Sequence, residues 1–133
     1  MAYFNGKKIL FGGRLVMGDA TIDGKRVAMG TTKISGNGNL NTINHNLGYM
    51  PECVLIFVNG FTNATLQSHN LVTVFYSRAT TNPVLIRNYM SNSGSLLTPS
   101  TGTEGKDYTV SDTAFMLRDQ YGFTNAEFYW IAY

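Results

Sequence analysis

Six consecutive apolar residues, CVLIFV at 53–58, constrain the fold of this chain more than any other stretch. The run follows a polar turn and Pro51, and it stops abruptly at Asn59-Gly60. Its length, its β-branched and aromatic content and its flanking turn residues read as a β-strand. Alternate side chains of a strand point to opposite faces, so Cys53, Leu55 and Phe57 point one way and Val54, Ile56 and Val58 the other. Both faces are apolar. The closing stretch, EFYWIAY at 127–133, repeats the feature, with Phe128, Trp130 and Ala132 alternating with Tyr129, Ile131 and Tyr133. Antiparallel strands with one wet face alternate apolar and polar residues, so these two strands need a second cover.

The remaining sequence sets them in an all-β context. A charged fraction of 14% and an aromatic fraction of 13% fit strands better than helices. Further strands are expected at 40–44, 71–78, 84–89, 107–110 and 113–118, with the two apolar runs at 52–58 and 127–132. Thr, Val, Ile, Phe and Tyr dominate them, while Gly, Asn, Ser and Pro separate them. The one stretch with a helix-cap residue, SDTAFMLRDQYG at 111–122, carries its apolar residues as a block rather than as a helical stripe. At 133 residues the chain is of single-domain size. The expected fold is an antiparallel β-sandwich, jelly-roll-like or barrel-like, with a short N-terminal arm.

Residues 1–35 are read as that arm and residues 36–133 as the sandwich domain. The first 35 residues are punctuated by glycine, with Asn5-Gly6 and Asp23-Gly24 as strong turn signals. The apolar pieces KILF, RLVM and RVAM between them are too short to build a core alone. They read equally well as an attachment arm of brief strands or as the domain's first hairpin. Six basic residues against two acidic ones make this part positive, while four basic against six acidic leave the remainder mildly negative. If consecutive strands are antiparallel neighbours, the polar loops 59–70 and 90–106 leave one end of the domain. The short connection 79–82 and the turn 45–51 then share the other end. Long loops in a compact domain are where binding residues concentrate.

Several classes of chemistry find no footing. His45 and His69 lie far apart, and neither has a Cys, Asp or Glu neighbour at metal-ligand spacing. No nucleophile elbow is present, and the Gly-Asn-Gly at 36–38 has no βαβ unit around it. The eight acidic residues are scattered through turns without an evident pair. The expectation is therefore no enzyme, no cofactor and no metal. Basic residues with abundant aromatics could imitate a single-strand nucleic-acid binder, but the aromatics lie inside strand runs where packing explains them. No nucleic-acid partner is expected. No run approaches the ~20 apolar residues of a membrane span, and ILFGG is too short for a signal-peptide core, so a soluble chain with no membrane insertion is expected. Cys53 is the only cysteine, which excludes an intrachain disulfide and reads as a small buried hydrophobe.

The turn before the apolar run reads as structural. An imidazole ahead of Asn46-Leu47-Gly48 is expected to bond backbone groups, Gly48 to supply a positive φ, and Pro51 to stop pairing where the strand begins. The missing cover is either the arm folded back or another copy of the chain. The second is preferred, since obligate interfaces resemble a core cut in half. Val54, Ile56, Val58, Tyr129 and Ile131 are the expected interface residues.

The stretch HNLGYMPECVLI at 45–56 resembles the opening of small C-terminal domains in bacteriophage tail fibres and related appendages. EFYWIAY is similar to the strand with which such domains close, and MAYFNGKKILF resembles the start of small virion proteins of phages and prophages. No repetitive fibre shaft accompanies these motifs, which favours a compact knob or accessory piece. The resemblance implies a β-sandwich virion component at a tail tip, baseplate or fibre, made in the bacterial cytoplasm. It also implies a homotrimer bound to other virion proteins through its arm and able to attach to a host cell-surface saccharide. His45, Leu47, Gly48 and Pro51 fall on the motif, where their implied role is structural. Saccharide sites combine aromatic faces with amide hydrogen bonds on preformed loops, so Asn63, Gln67, His69, Asn70 and Asn92 are the ligand-binding candidates. A purely architectural virion protein without ligand, and a bacterial lectin-like module, are the competing readings.

Overall fold

The computed structural model describes residues 2–4, 7–9, 21–22, 24–35, 38–58, 70–78, 82–119 and 127–133. Every regular element among them is a strand: β1 (Ala2–Phe4), β2 (Lys7–Ile9), β3 (Thr21–Ile22), β4 (Lys25–Arg26), β5 (Ala28–Lys33), β6 (Leu40–Asn44), β7 (Cys53–Val58), β8 (Asn70–Ser77), β9 (Val84–Met90), β10 (Ser100–Gly102), β11 (Tyr108–Val110), β12 (Ala114–Arg118) and β13 (Glu127–Ala132). Six of them form one sheet in the order β10-β9-β8-β7-β13-β5, and three form a second, β11-β12-β6. All pairings are antiparallel, and the two sheets pack face to face. The protein is a β-sandwich. β1 with β2, and β3 with β4, make two small separate hairpins.

Alternation decides which side chains meet between the sheets. From the larger sheet Val54, Ile56, Val74, Tyr76, Leu85, Phe128 and Ala132 turn inward, and from the smaller one Ile43, Tyr108, Phe115 and Leu117. Tyr76 is the hinge of this contact, with its ring centroid 5.5 Å from that of Tyr108 and 5.6 Å from that of Phe115. Tilted and edge-on aromatic pairs of this kind add about 0.5–1.5 kcal/mol each beyond the area they bury.

Two expectations need correction. The strand β5 belongs to the larger sheet and pairs along its whole length with β13, with Val27 and Ile34 beside it in the core. A boundary after residue 35 therefore cuts the sandwich, and residues 27–35 are domain, not arm. The loop expected over 90–106 is also interrupted, since Ser100–Gly102 forms the edge strand beside β9. The parity argument for the two ends survives for β7, β8 and β9. Asn70 and Met90 lie at one end, while Arg78 N–H donates to the Glu52 carbonyl at 2.8 Å at the other.

Candidate functional site

The turn ahead of β7 is a structural device. His45 is buried, and its Nδ1 accepts the Leu47 N–H at 3.2 Å. The backbone N–H groups of His45 and Asn46 both donate to the Thr113 carbonyl, and Gly48 N–H donates to that of Asp112. The turn is thus clamped onto the β11–β12 connection in the other sheet. Asn46 at φ 50° and Gly48 at φ 79° take the left-handed conformations the reversal requires. Burial holds the imidazole pKa below its ordinary value, against the backbone carbonyls of Ser111 and Ala114 and the charge of Asp112, which favour the proton.

The five ligand candidates separate. Asn63, Gln67 and His69 lie outside the described residues. Asn70 is fully buried at the start of β8, where its Nδ2 donates to the Met90 carbonyl at 3.1 Å. That corrects its assignment to the exposed loop: it fastens β8 to β9. Asn92 is exposed in a turn that Ser91 and Ser95 close through their backbone groups and the Ser91 hydroxyl. Of the candidates described, Asn92 alone is open to a ligand.

The interface candidates separate too. Val54 and Ile56 have no exposed surface, and Val58 packs against the same core. Their expected place at an outer interface is wrong, because the three-stranded sheet covers them. Tyr129 and Ile131 turn to the opposite side. Register explains the division: Tyr129 stands opposite Phe57 and Ile131 opposite Leu55, so the β7 residues sharing their face are Leu55 and Phe57. Cys53 lies in the same phase and is half-buried rather than buried, with burial raising its thiol pKa.

On that outer side the sheet carries an apolar row that crosses five strands. Ile86 pairs with Phe75, Phe75 with Leu55, Leu55 with Ile131 and Ile131 with Met29. Leu55, Phe75 and Met29 are 37%, 39% and 39% exposed. The next row runs from Asn88 through Thr73, Phe57 and Tyr129 to Thr31, with the Phe57 and Tyr129 rings 5.6 Å apart. Between the two rows a cavity of about 250 Å³ opens among Met29, Thr31, Phe57, Tyr129 and Ile131. Among the described residues, charge enters this face only at one corner, where Lys33 pairs with Glu127 in register.

A second cluster had no signal in the acidic residues alone. Arg87 lies in phase with Leu85 and Tyr89 on the inner side of β9, and its guanidinium reaches between the sheets. It lies 3.8 Å from carboxylate oxygens of both Asp107 and Asp119, and Nη2 donates to the Thr101 carbonyl at 3.0 Å. Tyr89 donates to Asp119 Oδ2 at 2.6 Å. Burial first, then the hydrogen bond and charge of Asp119, push the Tyr89 hydroxyl well above the ordinary phenol range. The acidic residues are therefore not all scattered, since the fold gathers two of them on one arginine. The cluster ties edge strand β10 and strand β9 to the end of β12.

No protein-family model, curated protein or solved structure matches the chain.

Proposed function

We propose that this chain is a structural component of a phage or prophage virion, a self-assembling knob or appendage domain rather than an enzyme. The reading draws on the resemblance of the 45–56 and 127–133 stretches to tail-fibre domains, and one observation carries it. The outer side of the six-stranded sheet presents two uncharged rows, one of them apolar across five strands. A soluble domain that works alone rarely leaves such a face open. Covering it takes an assembly of copies of the chain. The residues before β5 then serve attachment to other virion proteins. Asn92 stands at the end of the domain where a host saccharide would be met.

The competing architectural version, in which the domain touches only virion proteins, gains from the burial of Asn70, which removes one of the expected saccharide contacts. Immunogold labelling of particles purified from the strain that encodes the chain tests the virion reading. Label on tail, baseplate or capsid supports it, and particles free of the chain overturn it. Binding of the purified full-length protein to an array of bacterial surface saccharides, with Asn92→Ala beside the parent, separates adhesion from architecture.

A further inference from the structure

Resting on the self-assembly reading, we infer that the outer side of the six-stranded sheet is covered by a second copy of this chain, stacked face to face about a two-fold axis that runs along β7 over Leu55. Three observations lead there. The apolar row has five members, Ile86, Phe75, Leu55, Ile131 and Met29, and Leu55 on β7 is its midpoint. A two-fold axis along β7 exchanges the strands on its two sides, laying β8 of one copy over β13 of the other and β9 over β5. Leu55 then meets its own counterpart, Phe75 meets Ile131, and Ile86 meets Met29. Every apolar member of the row finds an apolar partner. An isologous interface requires this self-complementarity, in which each contact occurs twice with the roles reversed.

Relief agrees with the row. Phe75 is an exposed aromatic side chain on one side of the axis, and the cavity of about 250 Å³ lies on the other, bordered by Ile131 and Met29. The same rotation brings the Phe75 ring of each copy over the cavity margin of its partner. Interfaces concentrate their energy where an aromatic anchor enters such a pocket.

Size agrees as well. Two rows across five strands about 4.8 Å apart, extended by Val84, Ser77 and Cys53 on β9, β8 and β7 with about 6.6 Å between rows, cover on the order of 400 Å² in flat projection. Side-chain relief raises the accessible area toward the roughly 800 Å² per partner of a stable interface. The Lys33–Glu127 corner falls at the rim, where charge costs least. Two twisted sheets stack at about 10 Å with their strands about 30° apart, which the absence of charge from the central rows permits.

Light scattering coupled to size exclusion, on the full-length chain over a range of concentrations, reads the number of copies. A mass of two chains is expected, falling to one for Leu55→Glu, which sets two carboxylates against each other on the axis. In a Cys53→Ser background, Leu55→Cys tests the geometry without depending on that variant. The introduced thiols face each other across the roughly 10 Å sheet spacing, too far for a direct disulfide, so a short bis-methanethiosulfonate crosslinker is expected to give a reducible two-chain species. A two-chain mass without that crosslink overturns the stacking, because the dimer then uses another surface. A three-chain mass also overturns it, while self-assembly stands. A one-chain mass at every concentration removes both.

Discussion

The Tyr89 hydroxyl donates to Asp119 Oδ2 across 2.6 Å, joining the six-stranded sheet to the end of β12 through a carboxylate with no exposed side-chain surface. A buried anion at a sheet–sheet junction is stable only when its partners are in place. Arg87 stands 3.8 Å from the same oxygen and shares itself with Asp107, so the phenol supplies the short contact and the arginine the charge.

Tyr89→Phe keeps the ring and removes that donor. The variant is expected to fold and to lose about 1–3 kcal/mol, the usual consequence of leaving a buried acceptor short of a partner. Asp119→Ala is expected to cost more, about 3–5 kcal/mol, because it also strips a buried cation of a counter-charge. Urea unfolding followed by fluorescence measures both. Equal losses for the two variants would show that the hydroxyl, not the ion pair, holds the junction.

Gly30 carries the second prediction. A Cβ at this position would lie 2.9 Å from Trp130 Cζ2 and 3.0 Å from Cε2, and the indole is nearly buried. A stiff ring cannot move aside as the end of a long side chain can. Gly30→Ala should therefore destabilise by about 1–3 kcal/mol, although alanine is otherwise the better strand residue. Thermal unfolding of the variant checks it, and a raised melting temperature would mean that the indole has room to shift.

These two sites also show what the sequence could and could not disclose. Strands at 40–44 and 127–132 were legible to the residue because Thr, Ile, Phe, Tyr and Trp follow Gly- and Asn-bearing stretches there. β5 was not, and Gly30 is the reason: the inward positions of AMGTTK are small so that Trp130 can lie over them, which leaves no apolar period to read. β10, three small polar residues, is hidden by its shortness. For β7 the alternation gave two apolar sets and no sign. Only the pairing of Ile131 with Leu55, and the second sheet over Val54 and Ile56, decide which set is core. The union of Arg87, Asp107 and Asp119 depends on residues from three strands or their flanks, and no local spacing records it.

Asn70 and Asn92 should part in experiment. Asn70→Ala removes the bond to the Met90 carbonyl at the start of β8 and is expected to lower stability by about 1–3 kcal/mol. Asn92→Ala, on an exposed turn, should stay within about 0.5 kcal/mol of the parent. Guanidinium unfolding of the two variants side by side is the check. A larger loss at Asn92 would give its turn a role in the fold that its exposure does not indicate.

His45 makes the acid limb of stability depend on one turn. Its folded-state pKa lies below the ordinary value of 6.5 chiefly because burial disfavours the cation. The unfolded chain therefore takes up the proton first as pH falls. Above about pH 6.5 both states are neutral at this position and the residue contributes no pH dependence. Below it, protonation favours the unfolded state, and stability falls until the buried imidazole is itself protonated, after which this contribution is constant. His45→Asn keeps an acceptor two residues before the Leu47 N–H and cannot titrate. Unfolding free energies measured from pH 7.5 to 5 should therefore slope more steeply in the parent than in the variant. Parallel curves would mean that the imidazole gains in the folded state as much as burial takes away, and that the clamp between this turn and the β11–β12 connection tolerates the charge.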